Sequence, residues 1–168
     1  MTKTEKIKLT FKAWPIITAI VVAACFFTTQ IGFLLNCDLS SQQNIQIVKA
    51  VLPRAFSSWS CFLQAAQLVL SILLILPAVE EVVFRWFLWK LPQPKRIYVQ
   101  AVISAALFSA AHYIVQPFPD NAFVALFLFG IAQCWIYSKT NSLSCCILNH
   151  SLFNLTNLLL VFIVPENI

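Results

Sequence analysis

The chain has 168 residues, of which 60% are hydrophobic and only 10% are charged, and its formal net charge is +5. Soluble domains are usually about half apolar and about a quarter charged, so this composition excludes an ordinary soluble domain. It predicts an all-α, polytopic transmembrane helical bundle, because lipid offers no hydrogen-bond partner to an unpaired backbone group. The basic residues are scattered at the ends of apolar runs, which indicates control of membrane topology rather than a nucleic-acid surface.

Five apolar runs are candidates for membrane spans, each of which needs about 20 residues. In chain order the predicted spans are 13–35, 59–89, 97–115, 122–137 and 143–164. The segment 36–58 is more polar, and we expect it to connect the first two spans along the membrane interface. The second span ends before Pro92 and Pro94, because proline cannot continue a helix.

Residues 1–12 carry four lysines, Lys3, Lys6, Lys8 and Lys12. Basic residues stay on the cytoplasmic side, so this segment is predicted to be a cytoplasmic tail and 13–35 the first transmembrane anchor. An odd number of spans then places the C-terminus outside a cell membrane. The alternative is a lipoprotein signal ending at Cys25, but the apolar run continues past that cysteine, which favours the anchor.

Five ionisable residues lie well inside the predicted spans: Glu80, Glu81, Arg85, His112 and His150. Ionisable side chains are costly in a membrane and mark a functional site by default. Solvated charges at a helix end are the alternative for the two glutamates, but the apolar stretch WFLW continues beyond them. The six cysteines form no C-x-x-C pair, and we expect them to be small buried hydrophobic residues.

The second span is predicted to divide its charges between structure and chemistry. Glu81 and Arg85 are four residues apart and share a helix face, so they can form an ion pair. Glu80 points about 100° away from that face, and we expect it to act as a base. Pro77 lies one turn earlier, where it removes a backbone hydrogen bond and is expected to kink the helix and admit water.

The third and fifth spans supply the other candidate groups. Phe108 lies four residues before His112 and can fix the imidazole rotamer, and His150 shares a face with Asn154. Taken alone, His112 is equally typical of a membrane interface. The shared face of His150 and Asn154, taken alone, is equally typical of hydrogen bonding between helices. Together the three stretches predict one site built from facing helices of a bundle.

Two hydrolytic chemistries fit these residues. In one, Glu80 and His112 activate a water molecule while His150 and Asn154 donate hydrogen bonds to the oxyanion. In the other, Glu80, His112 and His150 hold a metal ion such as zinc. The chain has no HExxH motif, so both alternatives remain open. A serine or cysteine nucleophile is less supported, because no base follows from the sequence around any of them.

The stretches EEVVFR, FSAAH and HSLFN match, in order, the EExxxR, FxxxH and HxxxN/D motifs of the CPBP family. The chain therefore resembles the CAAX proteases and bacteriocin-processing enzymes, also called Abi proteins, which are similar to the Ras-converting CAAX endopeptidase. The resemblance implies an intramembrane endopeptidase acting on a peptide or protein substrate, with 59–164 as its catalytic bundle. The implied site residues are Glu80, His112, His150 and Asn154, supported by Glu81, Arg85 and Phe108.

Family members are described both as metalloproteases and as metal-free glutamate proteases, so the resemblance leaves the zinc alternative open. A non-catalytic membrane module of the same scaffold, such as a bacteriocin immunity protein, is the alternative function. A small transporter with a proton relay is a third class. The chain shows none of the internal repeats that are typical of transporters, which places this class last.

Overall fold

The structure is a computed structural model, which describes residues 1–34, 43–90, 97–115 and 120–163, with side chains at 1–23, 47–90, 97–114, 123–160 and 162. These residues form six helices and no strand. The helices are α1 (Lys3–Leu34), α2 (Gln43–Val51), α3 (Trp59–Lys90), α4 (Ile97–Val115), α5 (Asp120–Thr140) and α6 (Leu143–Ile163). A short 3-10 turn, Leu52–Arg54, follows α2.

Helices α3 to α6 are long and apolar enough to cross a membrane, which confirms the predicted all-α bundle. The span predicted at 122–137 is longer than expected, because α5 runs from Asp120 to Thr140. Of the span predicted at 13–35, residues 13–34 lie within α1, which begins ten residues earlier, at Lys3, and residue 35 lies outside the described residues. Pro92 and Pro94 lie outside the described residues, as does most of the polar segment that precedes α2, and so does the side chain of Cys25.

Helix α1 begins early because its first turn is capped. The Thr2 N–H donates to Glu5 Oε2 at 2.7 Å, and the Glu5 N–H donates to Thr2 Oγ1 at 3.2 Å, so two backbone donors of the first turn are satisfied reciprocally. Further along, α1 buries Ala13, Ile17 and Val21 in the common core, on a side that packs against α5 and α6. The first helix is therefore an integral part of the bundle.

The turn between α5 and α6 is short and brings the two helices side by side. Asn141 adopts a φ of 45°, a left-handed conformation that asparagine tolerates better than most residues. Its N–H donates to Tyr137 O at 2.7 Å, which closes the C-terminal end of α5. Helix α6 starts immediately after this turn, and its His150 is buried in the bundle.

Helix α3 is irregular on both sides of its two glutamates. A π-helical segment, Ser71–Ile75, precedes the regular turn Leu76–Glu81, and a second one, Val82–Phe87, follows it. Pro77 lies at the start of the regular turn. The sequence predicted a distortion at this proline, and the structure shows its form: π-helical turns, which are frequent at functional sites.

Helices α4 and α5 touch at Gly130, where a Cβ atom would lie 2.9 Å from both Cα and Cβ of Ala105. We expect Gly130→Ala to lower the free energy of unfolding by about 1–3 kcal/mol, because overpacking forces the helices apart. Thermal unfolding in detergent measures this. Ser138→Ala, at an exposed position of α5, is the control and should change little; equal midpoints for the two variants would contradict the close contact.

Candidate active site

Glu81 is a fully buried carboxylate that binds residues on two helices. Its Oε2 lies 3.2 Å from Arg85 Nε, with both side chains completely inaccessible to solvent. The i, i+4 ion pair that the sequence predicted is therefore present. Its Oε1 accepts a hydrogen bond from His150 Nδ1 at 2.8 Å. This second contact was not predicted, and it joins α3 to α6 through one carboxylate.

Glu80 faces both imidazoles. Its Oε1 lies 3.7 Å from His112 Nε2, and its Oε2 lies 3.6 Å from His150 Nε2. The three residues come from α3, α4 and α6, so the structure brings together the acid and the two histidines that the sequence singled out. The side chain of Glu80 is 21% exposed and that of His112 25%, whereas that of His150 is only 5% exposed. The Glu80–His112 side is therefore the more accessible side of the site.

The Nδ1 contacts determine which nitrogen of each imidazole faces Glu80 as an acceptor. Phe108 O lies 2.9 Å from His112 Nδ1, and a carbonyl oxygen only accepts, so Nδ1 carries the proton. His150 Nδ1 likewise donates to the Glu81 carboxylate, which also pairs with Arg85. In a neutral imidazole the Nε2 lone pair then points toward Glu80, a tautomer fixed by the bond on the other nitrogen.

Aromatic rings hold the imidazoles in place. The Phe108 ring lies 4.4 Å from the His112 ring, as the spacing predicted, and 4.8 Å from the Arg85 guanidinium. The Phe129 ring lies 4.8 Å from that of His150. The sequence analysis missed Phe129, which is one of many aromatic residues in apolar runs and shows no pattern that would single it out.

Asn154 does not face the same point as the other three. Its Nδ2 donates to Ile72 O at 2.9 Å, a backbone carbonyl in the first π-helical segment of α3. Of the candidate nucleophiles, Ser109 is fully buried, and Ser151 donates to Ile147 O of its own helix at 2.8 Å. Neither serine is arranged for nucleophilic attack, so Glu80 and the histidines remain the candidate reactive groups.

The fit of the site to a metal ion is partial. Two imidazoles and a carboxylate are donors that zinc accepts, and both Nδ1 bonds resemble the outer contacts of metal-binding histidines. However, among the residues that the structure describes, no three His, Cys, Asp or Glu side chains are arranged so that they could hold an ion. The donor types therefore fit zinc, but the arrangement of the described side chains does not.

Fold and site together define a multi-pass membrane protein with an acid and two imidazoles between its helices. The model of the family described as "Type II CAAX prenyl endopeptidase Rce1-like" matches residues 62–156, a range that contains Glu80, His112, His150 and Asn154. The chain belongs to this family, which confirms the relationship predicted from the three motifs and supports a CAAX-type protease. Comparisons with curated proteins and with solved structures gave no match.

We expect Arg85→Met to lower the free energy of unfolding by about 3–5 kcal/mol, because it leaves the buried Glu81 carboxylate without its cation. The additional change Glu81→Gln removes that unpaired charge and should recover part of the loss. Denaturation in detergent measures both effects. Lys139→Met, which removes an exposed charge, is the control and should cost less than about 0.5 kcal/mol; a similar cost at Arg85 would show that the ion pair does not form.

Proposed function

We propose that the chain is an intramembrane endopeptidase of the CAAX type, in which Glu80 activates the attacking water. The observation that carries this proposal is the convergence of one carboxylate with two imidazole Nε2 atoms, at 3.7 and 3.6 Å, between three apolar helices. A general base needs to lie within hydrogen-bonding reach of the water molecule that it deprotonates, either directly or through one further water molecule. The partial exposure of Glu80 and His112 supplies that access.

The proposed reaction has two steps. In the first, the water oxygen attacks the carbonyl carbon of the scissile peptide bond, while Glu80 takes the proton that the water loses. In the second, the tetrahedral intermediate collapses, the C–N bond breaks, and Glu80 gives its proton to the leaving amine. The products are a free carboxyl group and a free amine, and Glu80 returns to its carboxylate form. His112, whose Nε2 is an acceptor, orients the water beside Glu80.

His150 is proposed to bind the oxyanion. Its Nδ1–H donates to the Glu81 carboxylate, so Nε2 can act as a donor when the imidazole carries a second proton. In that form Nε2–H is a donor that faces the same space as Glu80, in a site largely closed to solvent, where such a hydrogen bond is strongest. Glu81 and Arg85 thus act through His150 rather than on the substrate itself.

The proposed substrate is a peptide with a C-terminal CAAX sequence whose cysteine carries a prenyl group. Two observations support this class: the description of the family that matches the chain, and a site that lies among helices α3, α4 and α6, all apolar enough to cross a membrane. The prenyl group of such a tail is buried in the bilayer, and the same bilayer surrounds these helices. The proposal also places the chain in the cell membrane, with its N-terminus on the cytoplasmic side.

We expect Glu80→Gln and His112→Ala to lower the hydrolysis of a prenylated CAAX peptide at least about 100-fold, because the first removes the proposed base and the second removes the group that orients the water. Hydrolysis is followed with the purified protein in liposomes, by mass spectrometry of the released tripeptide. Circular dichroism and the thermal midpoint should match those of the parent. Ser138→Ala, remote from the site, is the control.

Unchanged hydrolysis in either folded variant would refute the proposal. If the parent cleaves nothing but protects cells from a bacteriocin, and Glu80→Gln protects equally well, the immunity-module alternative is correct. Uptake driven by a proton gradient into liposomes, lost in Glu80→Gln, would instead indicate the transporter.

Elemental analysis of the purified protein separates the two hydrolytic mechanisms. We expect less than one zinc per chain and the same content in His150→Ala, because the described donors are not arranged to hold an ion. One zinc per chain, lost in His150→Ala while the helical content is unchanged, would instead establish the metal-dependent alternative. Activity after dialysis against a chelator is the second measurement.

A further inference from the structure

One backbone carbonyl in α3 loses its partner within the helix. In the first π-helical segment the Leu76 N–H donates to Ser71 O instead of to Ile72 O, the acceptor that a regular α-helix provides. In the same π-helical register, the next donor in line for Ile72 O is residue 77. That residue is Pro77, which has no N–H. The backbone of α3 therefore leaves Ile72 O without a donor.

Asn154 supplies the missing donor from another helix. Its Nδ2 lies 2.9 Å from Ile72 O, although 82 residues separate the two in the chain. An unpaired carbonyl costs several kcal/mol in a membrane, so this contact removes a penalty that the proline creates. One amide thus satisfies a carbonyl that lies before the turn that carries Glu80.

The second π-helical segment is held in a similar way. Ser104 of α4 donates its hydroxyl to Phe84 O at 2.6 Å, within Val82–Phe87. The regular turn Leu76–Glu81 therefore lies between two irregular segments, each of which is tied to a neighbouring helix by a side chain. Segments of this kind are frequent at functional sites, and these two contacts hold both of them against neighbouring helices.

We propose that Asn154 is a positioning residue, which satisfies the carbonyl that Pro77 leaves unpaired and thereby aims Glu80 at the two imidazoles. This inference rests on the proposed function and differs from the oxyanion-binding role predicted for Asn154. The same helix, α6, contacts α3 twice, through Asn154 at Ile72 O and through His150 at Glu81. These two contacts flank Glu80 along α3 and fix it relative to His150.

The inference makes Asn154 and Pro77 interdependent, which a double-mutant cycle measures. Pro77→Ala restores an N–H that the existing register directs at Ile72 O. We therefore expect Asn154→Ala to lower the thermal midpoint by about 4 °C in the parent and to change it little in the Pro77→Ala background. Equal shifts in the two backgrounds would overturn the inference. If Pro77→Ala does not fold, Pro77→Leu restores the same N–H with a larger side chain.

Hydrolysis distinguishes positioning from direct catalysis. We expect Asn154→Ala to lower kcat about 100-fold with KM nearly unchanged, the effect of a misplaced reacting group. In the Pro77→Ala background the same change should cost at least about 10-fold less, because the helix then supplies its own donor. If Asn154 instead bound the oxyanion, Asn154→Ala would lower kcat by the same factor in both backgrounds, and that result would overturn the inference.

Gln100→Ala is the matched control. Gln100 Nε2 donates to Trp89 O of α3 at 3.1 Å, so this variant also removes an amide donor from a carbonyl of the same helix, but far from Pro77. We expect its thermal shift to be the same with and without Pro77→Ala. If the parent hydrolyses no peptide, the proposed function fails, while the thermal cycle still decides whether Asn154 compensates for Pro77.

Discussion

The buried carboxylate of Glu81 is the interaction on which the rest of the site depends. It forms an ion pair with Arg85 within α3 and accepts a hydrogen bond from His150 of α6. One side chain therefore compensates the charge of a buried cation and orients an imidazole. A lone charge would be too costly between apolar helices. The adjacent Glu80 points about 100° away on the helix and faces the Nε2 atoms of both imidazoles.

A second constraint comes from the irregular backbone of α3. Proline is tolerated in a membrane helix only where something else satisfies the carbonyl that it leaves unpaired. Here Asn154 does so, and Ser104 binds a carbonyl of the second π-helical segment. The two glutamates therefore lie on a short regular turn whose ends are tied to α6 and α4, and the precision of the site depends on both neighbours.

Local spacing was sufficient to predict the contacts made within one helix. The pair Glu81–Arg85 and the packing of Phe108 against His112 both follow from an i, i+4 relationship, and both are present. Contacts between helices behaved differently. The bond from Glu81 to His150 and the bond from Asn154 to Ile72 O were not predicted, because no periodicity relates residues 69 and 82 positions apart.

Composition and hydrophobic runs by themselves determined that this chain is a helical membrane protein, and the three motifs determined its resemblance to the CAAX protease family, since each of these is a property of residue identity and short-range spacing. Only the tertiary structure decided what each polar group faces. It placed Glu80 between two Nε2 atoms, assigned Glu81 to His150 and directed Asn154 to a backbone carbonyl. The reason is physical: the direction of a side chain between helices depends on how the helices cross and on where the backbone departs from regular geometry, and neither is encoded in local spacing.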